Sequence, residues 1–386
     1  MSRYCEEEKK EVRRMDLKPF ELERWLNKPR DIDLASASIT KLKIGDLVSY
    51  VDPEMLLSYG LTKGSESIRE KVSSLYNNID PERILITSGT AEANFLALLR
   101  LLEPGSEVVV IGPTYMQCVN FARGMGAKIR FCILREEEEY RFNPTELKRQ
   151  VSKQTDLIFC VNPNNPTGSI LSENDMKTIC EIAESIDAWV LGDGALRGLE
   201  VEGVFASSPV SYYEKGIATG SLSKIGLSGI RIGWMVARKE FVDTCWSYKD
   251  YTTLCHSGIG EYFAEIALQQ DNFSRYLKRS KDIVVNHSKI LAEWINQNRK
   301  WISWVPSRAG HTAFLKYRLD LSTRDFCSRL LEEEGVLVSP GDFFETPNHL
   351  RLRYSGPEGE LHEGLRRLGA FIERRVSEKG TVAKPQ

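Results

Sequence analysis

The sequence predicts an α/β protein: a large domain with a mostly parallel seven-stranded sheet between helices, plus a smaller α+β domain. Three observations carry this expectation. Short apolar runs recur at 84–87, 108–111, 129–134, 157–161, 189–191, 217–219 and 231–237. Helical patterns lie between most of them; Met176, Ile179, Cys180 and Ala183 keep the spacing of a one-faced helix. After a long helical tract from Tyr262 to about Asn298, strand-like runs follow closely at 301–305, 312–317, 336–339 and 350–354, and a helix over 358–375 closes the chain. Buried strands alternating with helices imply a parallel sheet covered on both faces, with sites at the carboxyl ends of its strands. A length of 386 residues exceeds one usual core, so two domains are expected. The boundaries predicted are an N-terminal arm and part of the small domain over 1–45, a large domain over 46–270, and an interdomain helix with the small domain over 271–386.

Taken in order, residues 1–30 are charged and read as helical, with Leu17, Phe20, Leu22 and Trp25 as the packing face. A polar-apolar loop follows over 31–40, and Ser65 starts an amphipathic helix carrying Ile68 and Val72. Glu136 to Glu139 read as a solvated loop before the Pro144 helix, and Ser172 with Asp175 forms a capping-box start. Residues 377–386 read as a polar, disordered tail.

Hydrophobic content of 41%, charged content of 27% and a net charge of -2 describe an ordinary globular protein, with no sign of nucleic acid or an anionic membrane as partner. No apolar run reaches the length of a membrane span, and Met1 to Glu8 do not read as a signal peptide. The eight cysteines form no Cys-x-x-Cys pair and read as reduced thiols of a cytoplasmic protein.

The chemistry concentrates between Ser221 and Trp234. A lysine at a strand end whose amine faces a cleft loses its proton more easily on desolvation and becomes a Schiff-base candidate; Lys224 reads as such a lysine or as a solvated one on a Gly-Ser loop. Ser221, Ser223 and Arg231 supply the hydroxyls and guanidinium fork that a phosphate monoester needs. Ser88, Gly89 and Thr90 end one strand and open a helix, where backbone N–H groups and a hydroxyl make an anion site. Four further strand ends carry candidates. Tyr115 reads as a core aromatic or a flat stacking surface. Asn165, in Asn162-Pro163-Asn164-Asn165-Pro166, reads as a turn residue or an amide donor. Asp193 places a carboxylate, and Arg351 a bidentate fork for an anion, with Arg353 on the same side of the strand. His256 reads as a surface histidine.

These motifs, in this order over roughly residues 30–375, resemble the pyridoxal-phosphate enzymes of the aspartate aminotransferase family, class I/II, fold type I. The resemblance implies pyridoxal 5'-phosphate as cofactor, bound as a Schiff base to Lys224. Gly89, Thr90, Ser221, Ser223 and Arg231 would hold its phosphate, Tyr115 its ring face, Asn165 its ring oxygen and Asp193 its ring nitrogen. Arg351 would take the substrate carboxylate. Tyr59 matches a tyrosine that reaches the phosphate from the neighbouring subunit, which implies a homodimer with shared sites. The implied activity is transfer of an amino group from an amino acid to a 2-oxo acid. Two positions depart from the family pattern: Leu196 stands where Asp-x-x-Tyr usually ends, and one residue fewer separates Lys224 from Arg231. Arg197-Gly198-Leu199-Glu200 resembles the branch containing capreomycidine synthase, which implies the alternative of a cyclase, lyase or oxidase acting on an arginine-like amino acid. A non-catalytic binding module on the same fold is the third reading.

Overall fold

The computed structural model describes residues 15–203 and 205–382. In chain order its strands are β1 (Ile32–Asp33), β2 (Ile84–Thr87), β3 (Glu107–Gly112), β4 (Lys128–Ile133), β5 (Thr155–Val161), β6 (Trp189–Asp193), β7 (Gly216–Ser221), β8 (Gly233–Val236), β9 (Ile302–Trp304), β10 (Thr312–Tyr317), β11 (Val336–Leu337), β12 (Ser339–Pro340) and β13 (His349–Arg353). Seven of them form one sheet in the order β2-β8-β7-β6-β5-β3-β4. The five strands β4, β3, β5, β6 and β7 run parallel, and β8 runs antiparallel to both β7 and β2.

The apolar runs explain why this sheet is buried on both faces. Val109, Ile111, Ile158, Cys160 and Val190 enter one core, and their neighbours Val108, Val110, Leu157, Phe159 and Leu191 enter the other. That is the period of two expected of a strand covered on each side. Parallel neighbours need crossovers, and the helices Gln117–Gly124, Pro144–Gln150 and Glu173–Ser185 supply three of them. Ser172 caps the last, its hydroxyl accepting from Asp175 N at 3.1 Å while Asp175 returns a bond to Ser172 N at 2.9 Å. Ser65 caps Glu66–Ser74 by accepting from Ile68 N at 3.3 Å.

The direction of β8 matters most for function. Because β2 and β7 both run opposite to β8, the carboxyl ends of β2, β3, β5, β6 and β7 share one edge with the amino end of β8. Gly233 pairs with both Thr87 and Ser221, so the residues just before it arrive beside the ends of both strands. A Cβ on Gly233 would lie 2.4 Å from the Gly89 carbonyl carbon, so only glycine lets the two backbones meet there.

A four-stranded antiparallel sheet, β12-β13-β10-β9, shares one core with the C-terminal helix Glu358–Val382, which lies against the β1–β11 pair. The tract expected from Tyr262 to Asn298 is two helices, Gly258–Ala267 and Gln270–Gln297. In the second, Tyr276, Ser280, Val284, His287, Leu291 and Ile295 are buried at the spacing of a single face. The run at 336–339 divides between two partners, β11 pairing in parallel with β1 and β12 lying against β13.

Three expectations are corrected. The described part of the N-terminal segment is helical only at Glu21–Trp25, between Pro19 and Pro29, and residues 1–14 lie outside the described residues. The tail is helical through Val382, carried past 375 by an Arg375–Glu378 ion pair at 2.7 Å; 383–386 lie outside the described residues. The acidic run is the solvated turn expected, with Glu137, Glu138 and Glu139 exposed and Glu136 held by Lys316 at 2.7 Å. His256 is buried, with Nε2 against the Glu261 carboxylate, and against the upward push of burial, hydrogen bonds from His256 and Ser65 hold Glu261 down at about 2. No helix among the described residues is long and apolar enough to cross a membrane.

Candidate active site

The shared strand edge opens into a cavity of about 310 Å³. Its wall brings together Thr90, Tyr115, Asn165, Asp193, Ser221, Ser223, Lys224, Arg231 and Arg351, drawn from both sheets. Gly89 adjoins it as the residue before the helix Thr90–Leu101. Tyr59 is not brought to it within one chain and stands 84% exposed.

One end of the cavity is built for an anion. The first N–H groups of Thr90–Leu101 have no partners within that helix and lie at its positive end. Gly89 takes φ +86°, and a Cβ there would lie 2.7 Å from the Arg231 guanidinium, so a glycine lets the arginine lie against the loop. Arg231 itself has φ +55°, rare for an arginine, and donates to Ser228 O at 3.1 Å and Ser88 O at 3.0 Å. Two 3-10 turns, Ser223–Ile225 and Ser228–Ile230, span the short segment between lysine and arginine. The Thr90 hydroxyl is buried with no hydrogen-bond partner, a group that a bound phosphate oxygen would satisfy.

Deeper in the wall, the Asp193 carboxylate accepts from Ala195 N at 2.9 Å and from Asn94 Nδ2 at 2.8 Å. Asn94 is fixed in turn by Thr219 Oγ1, which donates to its Oδ1 at 2.8 Å. Burial pushes the Asp193 carboxyl above its ordinary value, although both donors and Lys224 pull the other way. A carboxylate so placed gains from a cationic N–H in the cavity. Lys224, just past β7, donates to Ala37 O at 2.6 Å. Burial, with Arg351 and Arg231 adding to it, drives its ammonium down to about 8, while Glu23 and Asp193 oppose the change.

The asparagine string divides its labour. Asn162 bonds Leu171 N and O and closes the turn on itself, and Asn164 donates to Pro113 O at 3.0 Å, just past the end of β3. Asn165 alone lines the cavity; its Oδ1 accepts from Arg351 at 3.2 Å, and its NH₂ has no partner among the described residues. Tyr115 also lines the cavity, its hydroxyl donating to Glu23 at 2.8 Å.

Arg351 is fully buried and also donates to Ala35 O at 2.8 Å and Ser339 Oγ at 3.2 Å. Its Nε is unpartnered, and burial lowers its pKa to about 10. Arg353 is committed elsewhere, to Glu360 at 3.1 Å and the Asp33 carbonyl.

Leu196 is buried in the wall at the position of the motif change. The following Arg197 and Glu200 organise the loop that carries it. Arg197 donates to Ala206 O at 2.7 Å and Leu75 O at 3.1 Å, and Glu200 accepts from Gly198 N and Ala206 N. Two wall residues are new relative to the sequence reading. Asn94 is a polar side chain on the buried face of a helix, a signal visible in the sequence but with no partner to interpret it. Glu23 reaches the cavity from the N-terminal segment, and nothing local marks it.

The donor set fits pyridoxal phosphate: an anion cup with an unsatisfied hydroxyl, a buried carboxylate, a free amide NH₂ and a lysine of lowered pKa converge on one cavity. Among the described residues no cluster of His, Cys, Asp and Glu is placed to hold a metal ion.

Comparisons with known proteins agree. The family model described as aminotransferase class I and II matches residues 40–368. A solved pyridoxal-phosphate-dependent aminotransferase from Streptococcus suis 89-1591 is 33% identical with a TM-score of 0.87, over 93% of this chain and 99% of that one. Capreomycidine synthase of Streptomyces vinaceus is 29% identical over 89% of this chain and 91% of its own length. The solved pyridoxal-phosphate-dependent cyclase OrfR is 26% identical with a TM-score of 0.85, over 95% of this chain and 100% of that one. The chain belongs to the aminotransferase class I and II family, pyridoxal-phosphate-dependent transferases that act on amino acids.

Proposed function

We propose that the enzyme takes the amino group from an amino acid and delivers it to a 2-oxo acid, in sites shared between two subunits. The observation that carries this reading is Arg351, a wholly buried guanidinium in the cavity wall whose partners are an amide, a carbonyl and a hydroxyl. Burying a cation without an anion is costly, and a carboxylate is the anion that fits its fork. Both an amino acid and a 2-oxo acid carry one.

Pyridoxal phosphate, when bound, supplies an aldehyde for the amino group and a ring that accepts electrons from the substrate Cα. The chain does the rest. Thr90, Ser221, Ser223 and Arg231 would hold its phosphate, and Tyr115 would cover a ring face. Asn165 would donate its NH₂ to the ring oxygen, and Asp193, fixed by Asn94 and Ala195 N, would accept from the ring nitrogen. Lys224 would hold the cofactor and would move the proton at the substrate Cα, a task suited to an amine whose pKa is about 8.

Incubation of the holoenzyme with single amino acids, with and without a 2-oxo acid, tests the activity. Mass spectrometry should find a 2-oxo product and a new amino acid in equal amounts, formed only when the acceptor is present. Products formed without consuming the acceptor would overturn transamination.

A second reading rests on Leu196 and on the likeness to the cyclase OrfR and to capreomycidine synthase. Leucine offers no donor to the ring oxygen, which leaves Asn165 as its side-chain donor. A hydrogen bond to a charged group contributes on the order of 1.5–3 kcal/mol. Leu196→Tyr should therefore lower the pH at which the holoenzyme's visible spectrum titrates by about 1–2 units. If the products shift toward transamination as well, Leu196 directs the outcome. If neither moves, it is a packing substitution.

Support for the dimer comes from the exposed apolar side chains of Leu56, Leu57, Tyr59 and Leu61, with Tyr251 at 91% exposure. A Cβ on Gly258 would lie 3.2 Å from Ser58 O, so the segment carrying these side chains adjoins the start of the helix Gly258–Ala267, and large apolar side chains grouped at the surface mark an interaction site. Mixing Tyr59→Phe with Lys224→Ala protein should give more activity than the two parents summed, because each hybrid has one site free of both lesions. A fully active monomer would contradict the shared site. The described cysteines are all free, which supports a reducing, cytoplasmic setting.

A further inference from the structure

The anion cup has a carboxylate for a neighbour. Glu92 stands in the first turn of the helix Thr90–Leu101, half-buried and outside the cavity wall. An acidic side chain there suits the helix dipole. It also sets a negative charge at the same helix end as the phosphate, and like charges repel.

The contacts of Glu92 all serve the loop that forms the cup. Its Oε2 accepts from Ser88 N at 2.6 Å, and its Oε1 accepts from the hydroxyls of Thr252 at 2.8 Å and Thr253 at 2.7 Å. On the other side of Ser88, Arg231 donates to the Ser88 carbonyl at 3.0 Å. Both backbone groups of Ser88 are thereby held, one by a carboxylate and one by the guanidinium of the cup. The chain then turns at Gly89, φ +86°, whose N–H donates to Thr87 O at 2.9 Å. With the Ser88 and Gly89 N–H groups engaged, the helix presents its own first donors from Thr90 onward, beside the unpartnered Thr90 hydroxyl. The stretch that supplies the two threonines also braces the strand behind the cup, since buried Lys249 donates to Ile86 O at 3.0 Å.

We propose that Glu92 is a positioning residue for the cofactor phosphate: by holding Ser88 N it fixes the turn at which Arg231 and the first N–H groups of the helix meet the anion. This rests on the phosphate cup of the function proposed above and extends it to a residue outside the cavity wall. The bond to Ser88 N is direct and charge-assisted, whereas repulsion of the phosphate acts across the loop and is screened from the solvent side. Positioning therefore outweighs repulsion.

Two conservative variants separate the bond from the charge. Glu92→Gln loses the charge but keeps an oxygen that reaches Ser88 N, and its NH₂ can donate to the threonine hydroxyls. Glu92→Asp keeps the charge and falls short of Ser88 N by one methylene. The test compares equilibrium binding of pyridoxal phosphate and of pyridoxal, the same aldehyde without the phosphate, to full-length protein freed of cofactor. One hydrogen bond to a charged group corresponds to about a tenfold change in Kd. Wild-type protein should prefer pyridoxal phosphate. Glu92→Asp should bind it about tenfold more weakly and pyridoxal as before, while Glu92→Gln should bind both at least as tightly as wild type. A cap that served helix stability alone would lower the melting temperature and leave the ratio of the two affinities unchanged. An unchanged ratio in Glu92→Asp, or a loss in Glu92→Gln as large as that in Glu92→Asp, would overturn the proposal and leave the cup standing. Equal binding of the two ligands by the wild type would overturn the phosphate cup and this inference with it.

Discussion

Replacing Lys224 by alanine should remove turnover almost entirely. General base catalysis alone contributes roughly 10²–10⁴-fold, and the variant also loses its covalent hold on the cofactor. The anion cup is untouched, so Lys224→Ala protein should still take up pyridoxal phosphate, reversibly and without a covalent link. A small primary amine added to the buffer should restore part of the activity. The wild-type pH dependence has a definite sign. An ordinary lysine stays protonated to about 10.5, whereas burial with Arg351 and Arg231 brings Lys224 down to about 8. Its neutral form therefore grows as pH rises through about 8, and cofactor-free protein should capture the aldehyde faster across that interval. A capture rate that stays flat until pH 10 would show that the amine is not desolvated.

Asp193→Ala should slow exchange of the substrate Cα proton with solvent by roughly 10²–10³-fold, the usual cost of deleting one preorganised charged partner at a reacting centre. Cofactor affinity should fall by much less, since the phosphate contacts lie elsewhere in the cavity. The variant also leaves the Asn94 amide without its acceptor at 2.8 Å. Part of the loss can therefore come from Asn94 turning away, and Asn94→Ala measures that part: with Ala195 N still bonded to the carboxylate, its effect should be the smaller of the two. Unchanged proton exchange in Asp193→Ala would remove Asp193 from the mechanism.

What was legible in the sequence was whatever depends on neighbours along the chain. The strand runs, the Ser65 and Ser172 caps and the lysine segment are local patterns, and burial on both sheet faces follows from unbroken apolar runs such as Val108 to Ile111. What was not legible depends on distant partners. Asn94 becomes meaningful only when Asp193, 99 residues on, accepts its bond. Glu23 meets Tyr115 across 92 residues. Arg351 and Arg353 share a strand face and look equivalent until Glu360 claims one and the cavity keeps the other. In Asn162-Pro163-Asn164-Asn165 the turn reading holds for Asn162 and Asn164, while Asn165 faces the cavity with an NH₂ that has no partner among the described residues. His256 looks like a surface residue because histidine usually is one, and only the buried Glu261 beside it explains its place.

The central claim is that the Lys224 amine is the point of attachment for the cofactor. Reduction of the holoenzyme with borohydride, followed by digestion and peptide mass mapping, tests it without relying on turnover. The cofactor mass should appear on the peptide containing Lys224 and be absent from Lys224→Ala protein treated in the same way. Stoichiometric label on another lysine would contradict the account.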